Sequence, residues 1–509
     1  MTTHLRNPIA KAVARIARED PRREVIVDGS LRLSYGDLAQ SIDKSSSALI
    51  QAGLRPGARV AFMGFPGAIF LTSELSTQMA GGVWLGLNAK YTVPELAYVL
   101  ADAMPDLVFV EDRVGDICIA NVLAAAGRLD PQPRIQVVDS VADLADIADL
   151  HHTTEDLLGQ DDALIVYTSG TTGSPKGARL THAGISEATR LYRERYQHPK
   201  LRSLLNLPIN HVGSLIDLAA SGIGMGGTLI AMPGFEPEVI PDLMREERIS
   251  LLGQVPAMHL AIEAAAPYDP GDYPSLAHLV WSGAAMPRSW IERHYNRGAE
   301  LSTCYGQTEC TGSITFTTKD ATIDELADTI GRSADEKVTR LVAEDGKVIE
   351  GEGRGEIQLR GPLLMSGYHN RAEATKEAFA DKVWLRTGDL ATRDENSNYA
   401  IVGRLKEMFK SGGFNVYPRE VEITLEEHPG VTAAAVISRP DERWQEVGWA
   451  FLMKRADITD SELKTFASDR LANYKVPKRF IVQDELPLLP IGKIDKKALA
   501  AMADRGEFG

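Results

Sequence analysis

Two textures of apolar residues alternate along the first part of the chain: stripes at helical spacing, and short runs that are apolar throughout. Behind the capping box Ser34-Tyr35-Gly36-Asp37, residues Leu38, Ile42, Leu49 and Ile50 follow at roughly helical spacing, and Gly53 stops the helix they predict. Val60-Ala61-Phe62-Met63, Val83-Trp84-Leu85 and Leu107-Val108-Phe109-Val110 have the length and composition of buried strands. A helix through Leu71 to Met79 and another opened by Thr92 and Pro94 fall between them, and Ala10 to Arg18 reads as the first helix. That order predicts a parallel α/β layer. It resumes with Thr228 to Met232, a helix around Pro237 to Glu247, Ser250 to Gly253, a helix from Ala257 and the run His278 to Trp281, which predicts a second α/β layer.

From Lys337 to Gly403 the texture changes to short strands with frequent glycine, as in Gly353 to Arg360, and predicts a small β-rich subdomain. Beyond Gly403 the pattern is α+β: a helix Pro418 to Glu427, strands Ala433 to Ile437 and Trp449 to Met453, a helix Asp460 to Leu471, and a strand Arg479 to Val482. The expected fold is α/β, with two doubly wound subdomains and the β-rich one in a large N-terminal domain, residues 1–402. A small, mobile α+β C-terminal domain, residues 403–509, follows without a Pro/Ser-rich linker, so the junction reads as a short hinge.

At 509 residues the chain is long enough for several domains and a large core. Its formal charge of −15 disfavours nonspecific nucleic-acid binding and attraction to anionic membranes, so a polyanionic substrate has to be held by local positive charge. Cys118, Cys304 and Cys310 match neither a disulfide framework nor a zinc site. No run has the length of a transmembrane helix, the amino-terminal residues lack the apolar core of a signal peptide, and Arg505 to Gly509 is no peroxisomal or retention signal. A cytoplasmic setting without membrane insertion is the expectation.

Candidate chemistry begins where Leu164 to Tyr167, the end of a buried strand, runs into Thr168-Ser169-Gly170-Thr171-Thr172-Gly173-Ser174-Pro175-Lys176-Gly177. Glycines let backbone N–H groups approach an anion, the hydroxyls add donors, and Lys176 supplies positive charge, so the loop suits phosphate. Pro175-Lys176-Gly177 stands where a P-loop needs GK[ST], so it is not one. Tyr305-Gly306-Gln307-Thr308-Glu309 joins an aromatic face to a hard carboxylate, fit for a purine and for partly hydrated Mg²⁺; a strand-end turn with a solvated acid is the other reading. Asp389, behind Leu385-Arg386-Thr387-Gly388, is a short acid displayed by a turn. The small residues of Ser282-Gly283-Ala284-Ala285-Met286-Pro287 follow a buried strand and let backbone approach a flat ligand.

Together with Gly403-Arg404-Leu405-Lys406-Glu407, Gly412-Gly413-Phe414-Asn415 and Pro490-Ile491-Gly492-Lys493, these motifs resemble those of the acyl-adenylate-forming (AMP-binding) superfamily, in order, in separation and over nearly the whole chain. The likeness is to acyl-CoA synthetases and 4-coumarate CoA ligases. It implies ATP and CoA as co-substrates, Mg²⁺ as cofactor, and a carboxylic acid that becomes acyl-AMP with release of pyrophosphate, then acyl-CoA with release of AMP. By this resemblance Thr168, Ser169, Gly170, Thr171, Thr172, Gly173 and Lys176 grip the phosphates. Gly283, Ala284, Ala285, Tyr305, Gly306, Gln307 and Thr308 border the nucleotide, with the tyrosine on adenine. Asp389, helped by Arg404, takes the ribose hydroxyls, and Glu309 with Thr172 holds the metal.

The resemblance also assigns the carboxyl-terminal motifs. Lys493 orients the substrate carboxylate and stabilises charge on the α-phosphate, and Lys406 is the hinge about which the small domain swings. Lys410, Gly412, Gly413, Phe414 and Lys475 border CoA, and Lys410 and Asn415 act on the adenylate. The cluster Lys475, Lys478 and Arg479 suits the nucleotide end of CoA or is an ordinary solvated face.

His211 matches the histidine that acyl-CoA members carry beside the acyl carboxylate, where amino-acid-activating members place an Asp; Asn210 departs from the aromatic residue usual before it. By position the acyl pocket is walled by His211, Val212, Ser214, Val255, Met258, Ala284, Cys304, Cys310, Thr311 and Gly312, a largely small or apolar set. That favours a hydrophobic, aromatic, alicyclic or bulky acid over a charged or very short one. Two other readings stay open: an adenylating enzyme that loads a separate carrier protein, and a nucleotide-binding protein without turnover on the same fold. Pathway and assembly, a homo-oligomer included, lie beyond these residues.

Overall fold

The computed structural model describes residues 7–168, 175–266, 269–454, 458–488 and 494–508. By its contacts the chain divides into two compact units. The first comprises Met1–Ser282, Glu292–Ala321 and Leu359–Leu385; the second comprises Gly283–Ile291, Thr322–Gln358 and Arg386–Gly509.

The first unit is built on two sheets. One has the order Gly367–Tyr368, Lys176–Thr181, Asp162–Thr168, Val83–Leu87, Arg59–Met63, Leu107–Glu111, Arg134–Val138. From Asp162–Thr168 onward neighbouring strands are parallel, and Arg59–Met63 is buried at every position, as a central strand covered on both faces must be. Helix Val93–Ala103 lays Leu96, Val99 and Leu100 on Ala61, Met63, Val108 and Val110. Capping boxes start helices Tyr35–Gln51 and Val93–Ala103: the Ser34 amide donates to Asp37 Oδ2 at 2.9 Å, and the Thr92 amide to Glu95 Oε2 at 2.7 Å.

The other sheet runs Gly312–Phe316, Glu300–Gln307, His278–Ser282, Leu251–Gln254, Arg202–Leu205, Thr228–Ala231, Glu24–Asp28, Leu31–Ser34. Its middle is parallel and its two ends are antiparallel. The expectation of parallel layers therefore holds for the sheet centres and is corrected at their edges. The reason is loop length: the connections at Gly29 and at Thr308–Cys310 are too short for a crossover and make hairpins. The helix expected around Pro237 begins later, as Ile240–Glu246, with Pro241 in its first turn.

The stretch expected as one β-rich subdomain is split. Leu359–Leu385 belongs to the first unit, where Gly367–Tyr368 pairs with Lys176–Thr181, Tyr368 opposite Ala178. In the second unit Tyr399–Arg404 pairs antiparallel with Trp384–Arg393 over Asp389 to Arg393. Its carboxyl-terminal sheet has the order Phe414–Val416, Phe409–Ser411, Gln445–Lys454, Val431–Asp441, with Arg479–Gln483 parallel to Gln445–Lys454. Strand alternation serves two cores: Ala434 and Val436 face Val421 and Leu463, whereas Ala435 and Ile437 face Leu499 of helix Lys496–Asp504. No helix among the described residues is long and apolar enough to cross a membrane.

Candidate active site

Six of the expected site residues lie outside the described residues: Ser169, Gly170, Thr171, Thr172 and Gly173 of the phosphate loop, and Lys493. The two flanks of the loop are described. Thr168 closes one strand and Lys176 opens the next, the two are register partners, and the Thr168 hydroxyl donates to the Lys176 carbonyl at 3.3 Å. Gly177 is needed for the tight pairing, because a Cβ there would lie 2.7 Å from Ile165 Cγ2.

A polar network braces this flank. Tyr98 donates its hydroxyl hydrogen to the Pro175 carbonyl at 2.8 Å, and Arg371 Nη2 donates to the Tyr98 oxygen at 3.1 Å. Arg371 also pairs with Asp102 Oδ1 at 3.0 Å, while the Tyr167 hydroxyl donates to Asp102 Oδ2 at 2.8 Å.

Strand Gly367–Tyr368 carries a residue that sequence reasoning missed. The Tyr368 hydroxyl donates to Glu309 Oε1 at 2.7 Å, and Lys176 Nζ lies 5.1 Å from the centre of the same ring. Burial and the Glu309 charge both push the Tyr368 phenol far above its ordinary value, so it acts as a neutral donor. Lys176, Glu309 and Tyr368 thus meet beside the loop. Glu309 follows strand Glu300–Gln307, on which Tyr305, Gly306 and Gln307 are half-buried, and Thr308 opens the turn. Gly306 admits no side chain, since a Cβ would stand 1.8 Å from the Gly312 carbonyl oxygen.

The donor set fits Mg²⁺. Glu309 offers a hard carboxylate oriented by Tyr368, and no group of three His, Cys, Asp or Glu side chains is gathered among the described residues. An ion here would take most of its ligands from water and phosphate, the coordination Mg²⁺ favours.

In the second unit the turn carrying Asp389 is held on three sides. The Gly388 amide, at a φ of +72°, donates to Glu356 Oε1 at 3.1 Å. Thr387 Oγ1 donates to the Ile357 carbonyl at 2.7 Å and accepts from the Asp389 amide at 3.1 Å. Arg404 Nε donates to Asp389 Oδ1 at 2.8 Å, so the two residues expected at the ribose are in contact with each other. Gly283, Ala284 and Ala285 are exposed in this unit.

Lys410 and Asn415 are register partners across the hairpin of Phe409–Ser411 and Phe414–Val416. Gly412 and Gly413 form its turn with φ of +58° and +85°, the pair of positive values that a two-residue hairpin loop demands. Phe414 stacks on Tyr474, with centroids 4.6 Å apart. Lys406 is exposed in the turn Leu405–Glu407. Each residue of the basic cluster has its own partner: Lys475 is paired with Glu420, Lys478 Nζ lies over Trp444 and the Arg479 guanidinium over Trp449.

The first-unit residues expected around the acid divide by exposure. Val212, Ser214, Cys304, Cys310, Thr311 and Gly312 are buried, whereas His211, Val255 and Met258 keep accessible surface. His211 Nδ1 accepts from the Gly213 amide at 3.2 Å, just ahead of a π-helix, Gly213–Ala220, that packs on helix His182–Tyr196 and strand Gly312–Phe316. Such helices recur at functional sites.

Within the π-helix is a second missed residue, Asp217. Its Oδ1 accepts from the Ser313 amide at 3.3 Å and its Oδ2 from the Ser313 hydroxyl at 3.0 Å, while burial pushes the carboxyl up to about 7 against the pull of those bonds. The Ser313 hydroxyl also lies 3.3 Å from Cys304 Sγ, a thiol that burial raises to about 12 and so keeps protonated.

Family profiles match most of the chain: "AMP-binding enzyme" over residues 13–369 and "AMP-binding enzyme C-terminal domain" over residues 420–493. The feruloyl-CoA synthase of an Amycolatopsis species is 35% identical over 487 residues, 95% of this chain and 96% of that protein. The indoleacetate-CoA ligase of Aromatoleum aromaticum is 31% identical, over 98% of this chain and 99% of that protein. Among solved structures, ATP-bound MatB from Rhodopseudomonas palustris aligns with a TM-score of 0.85 at 28% identity, covering 98% of this chain and 99% of that one. With both profiles matched in sequence order, and with this fold, the chain belongs to the AMP-binding enzyme family.

Proposed function

We propose that the protein is an AMP-forming carboxylate:CoA ligase, acting on a hydrophobic, ring-bearing or bulky acid through an acyl-AMP intermediate. The observation that carries this reading is the meeting of Lys176, Glu309 and Tyr368 where strand Lys176–Thr181 begins. A cation beside an oriented carboxylate is what a polyphosphate and its metal would call for, on a chain whose net charge is −15. Relatives named for feruloyl and indoleacetate groups, both aromatic, support the class of acid.

In the first half-reaction the acid's carboxylate displaces pyrophosphate at the α-phosphate of ATP. Lys176 and the loop hydroxyls from Thr168 to Thr172 hold the phosphates, and Lys493 orients the carboxylate and offsets charge gathering on the α-phosphate. Asp389 and Arg404 fix the ribose, Tyr305 stacks on adenine, and His211 borders the acid. Glu309 and Thr172 would hold Mg²⁺, which when bound neutralises phosphate charge. In the second half-reaction the small domain, from residue 403 onward, turns about Lys406. That turn replaces Lys493 by the Lys410 to Asn415 hairpin, and the CoA thiol attacks the acyl carbonyl and releases AMP.

The test follows AMP release from ATP with aryl, alicyclic and fatty acids, with and without CoA. Turnover of acetate or propionate alone would sink the proposed acid class, and release that needs a carrier protein in place of CoA would decide for a carrier-loading enzyme. Lys493→Ala is expected to abolish adenylation while leaving thioesterification of supplied acyl-AMP largely intact. Equal loss of both half-reactions would count against the two-state cycle.

A further inference from the structure

Both ends of the phosphate loop are tied to one side chain. Tyr167, next to Thr168, donates its hydroxyl hydrogen to Asp102 Oδ2 at 2.8 Å. At the other end the Pro175 carbonyl, next to Lys176, accepts from Tyr98, whose oxygen accepts from Arg371 Nη2, and that same nitrogen lies 3.0 Å from Asp102 Oδ1. A third segment reaches the backbone of the same residue. His369 Nε2 and Asn370 Nδ2 each donate to the Asp102 carbonyl at 3.0 Å, directly behind Tyr368, the residue that orients Glu309. All of these residues belong to the first unit.

Nothing local asks for an acid at this position. Asp102 sits in the last turn of helix Val93–Ala103, where a negative charge opposes the helix dipole and aspartate is a poor helix former. Its side chain is nonetheless only 8% exposed, so its ion pair and hydrogen bonds have to offset the cost of dehydrating it. Tyr98 stands one helical turn earlier on the same face, and that face therefore receives both ends of the loop. The helix end needs partners too, because its last carbonyls meet no amide within the helix, and His369 and Asn370 supply hydrogens to one of them. Burial and the Asp102 charge raise the Tyr167 phenol far above its ordinary value, which keeps its hydrogen in place as the donor.

We infer that Asp102 is a positioning residue for the polyphosphate of ATP, holding Tyr167, Pro175 and the strand that carries Tyr368 at fixed places relative to one another. The inference rests on the carboxylate:CoA ligase reading for its effect on turnover. Without the carboxylate, Arg371 loses its counter-charge and the Tyr167 hydroxyl its acceptor, and the loop ends keep only their strand pairing. Order that Asp102 supplies in advance then has to be supplied by ATP as it binds, and affinity falls. The loss falls on ATP and pyrophosphate. The second half-reaction starts from acyl-AMP, which has no β- or γ-phosphate, and is spared.

The experiment compares wild type, Asp102→Ala, Tyr167→Phe and the double variant. It reads KM for ATP and for pyrophosphate, kcat for AMP release, the rate of thioesterification of supplied acyl-AMP, and the Kd of Mg·ATP by calorimetry. Asp102→Ala is expected to raise both KM values and the Kd by ~10-fold or more, with thioesterification within about threefold of wild type. Tyr167→Phe is expected to raise them by a smaller factor in the wild-type background and to add nothing once Asp102 is alanine. Unchanged KM and Kd overturn the inference. So does a proportional fall of both half-reactions at constant KM, the mark of a partly unfolded population, and so does full additivity of the two substitutions. Asp102→Asn, which keeps the volume and removes the charge, takes the place of the alanine variant if that one unfolds; if both unfold, the Kd of Tyr167→Phe decides, and an unchanged value overturns. A wild type that binds Mg·ATP but releases AMP from no acid brings down the ligase reading, while the calorimetric comparison still decides this inference.

Discussion

Tyr368 and Asp217 share a reason for being invisible in the sequence: each is held by hydrogen bonding across a long chain separation. Tyr368 meets Glu309 only because Gly367–Tyr368 joins the edge of the first sheet, and nothing in the local string Gly367-Tyr368-His369 announces it. Asp217, between Ile216 and Leu218, reads as an isolated acid in an apolar run, and its bond to Ser313 needs the second sheet complete. Glu309 and Asp389 stand out in the sequence because their neighbours supply the turn that displays them. Removing the Tyr368 hydroxyl tests the first of these bonds. Tyr368→Phe is expected to lower adenylate formation by roughly tenfold, the scale of one hydrogen bond to a charged group, and to raise the Mg²⁺ concentration needed for half-maximal rate. Pyrophosphate exchange across a Mg²⁺ titration reads both effects.

Helices and central strands were legible wherever a stripe or an unbroken apolar run marked them, and their ends were legible at Ser34 and Thr92, where a capping residue is spelled out. Strands near the sheet edge were not: Lys176–Thr181 has no unbroken apolar run and becomes a strand because Asp162–Thr168 and Gly367–Tyr368 offer it partners. Two predictions belong to these elements. Gly306→Ala forces Glu300–Gln307 and Gly312–Phe316 apart at their pairing, and is expected to destabilise by about 1–3 kcal/mol or more in chemical denaturation. Tyr98→Phe removes the bond to the Pro175 carbonyl at the loop flank, and is expected to raise KM for ATP a few-fold with a smaller change in kcat. An unchanged KM in steady-state kinetics would show that the brace does not bear on phosphate binding.

Stability of the whole molecule is expected to have a pH optimum set by interior groups of opposite sense. Glu74, in helix Ala68–Met79, is raised by burial from 4.5 to about 8, and its bond from Gln78 only partly opposes this. The folded state therefore favours its neutral form, and the stability this contributes is full below pH 4.5 and is lost as pH rises through about 8. Asp217 acts the same way between 3.8 and about 7. His259 is lowered by burial from 6.5 to about 4, so its contribution is full above pH 6.5 and is lost as pH falls through about 4. Glu74→Gln keeps the bond from Gln78 and removes the charge. Denaturation midpoints are expected to rise above wild type at pH 9 and to match it near pH 5, and equal shifts at both would refute the account.

Of the molecule as a whole, amino-acid order alone was enough for fold class and for most central strands, because apolar periodicity and turn chemistry act within a few positions of each other. Sheet order, the return of Leu359–Leu385 to the first unit, the pairing of Tyr368 with Glu309 and the placing of Asp217 against Gly312 and Ser313 came from long-range pairing. Those contacts form between residues far apart in the chain, and which distant partner is met depends on the closed fold, a property that no local window of residues contains.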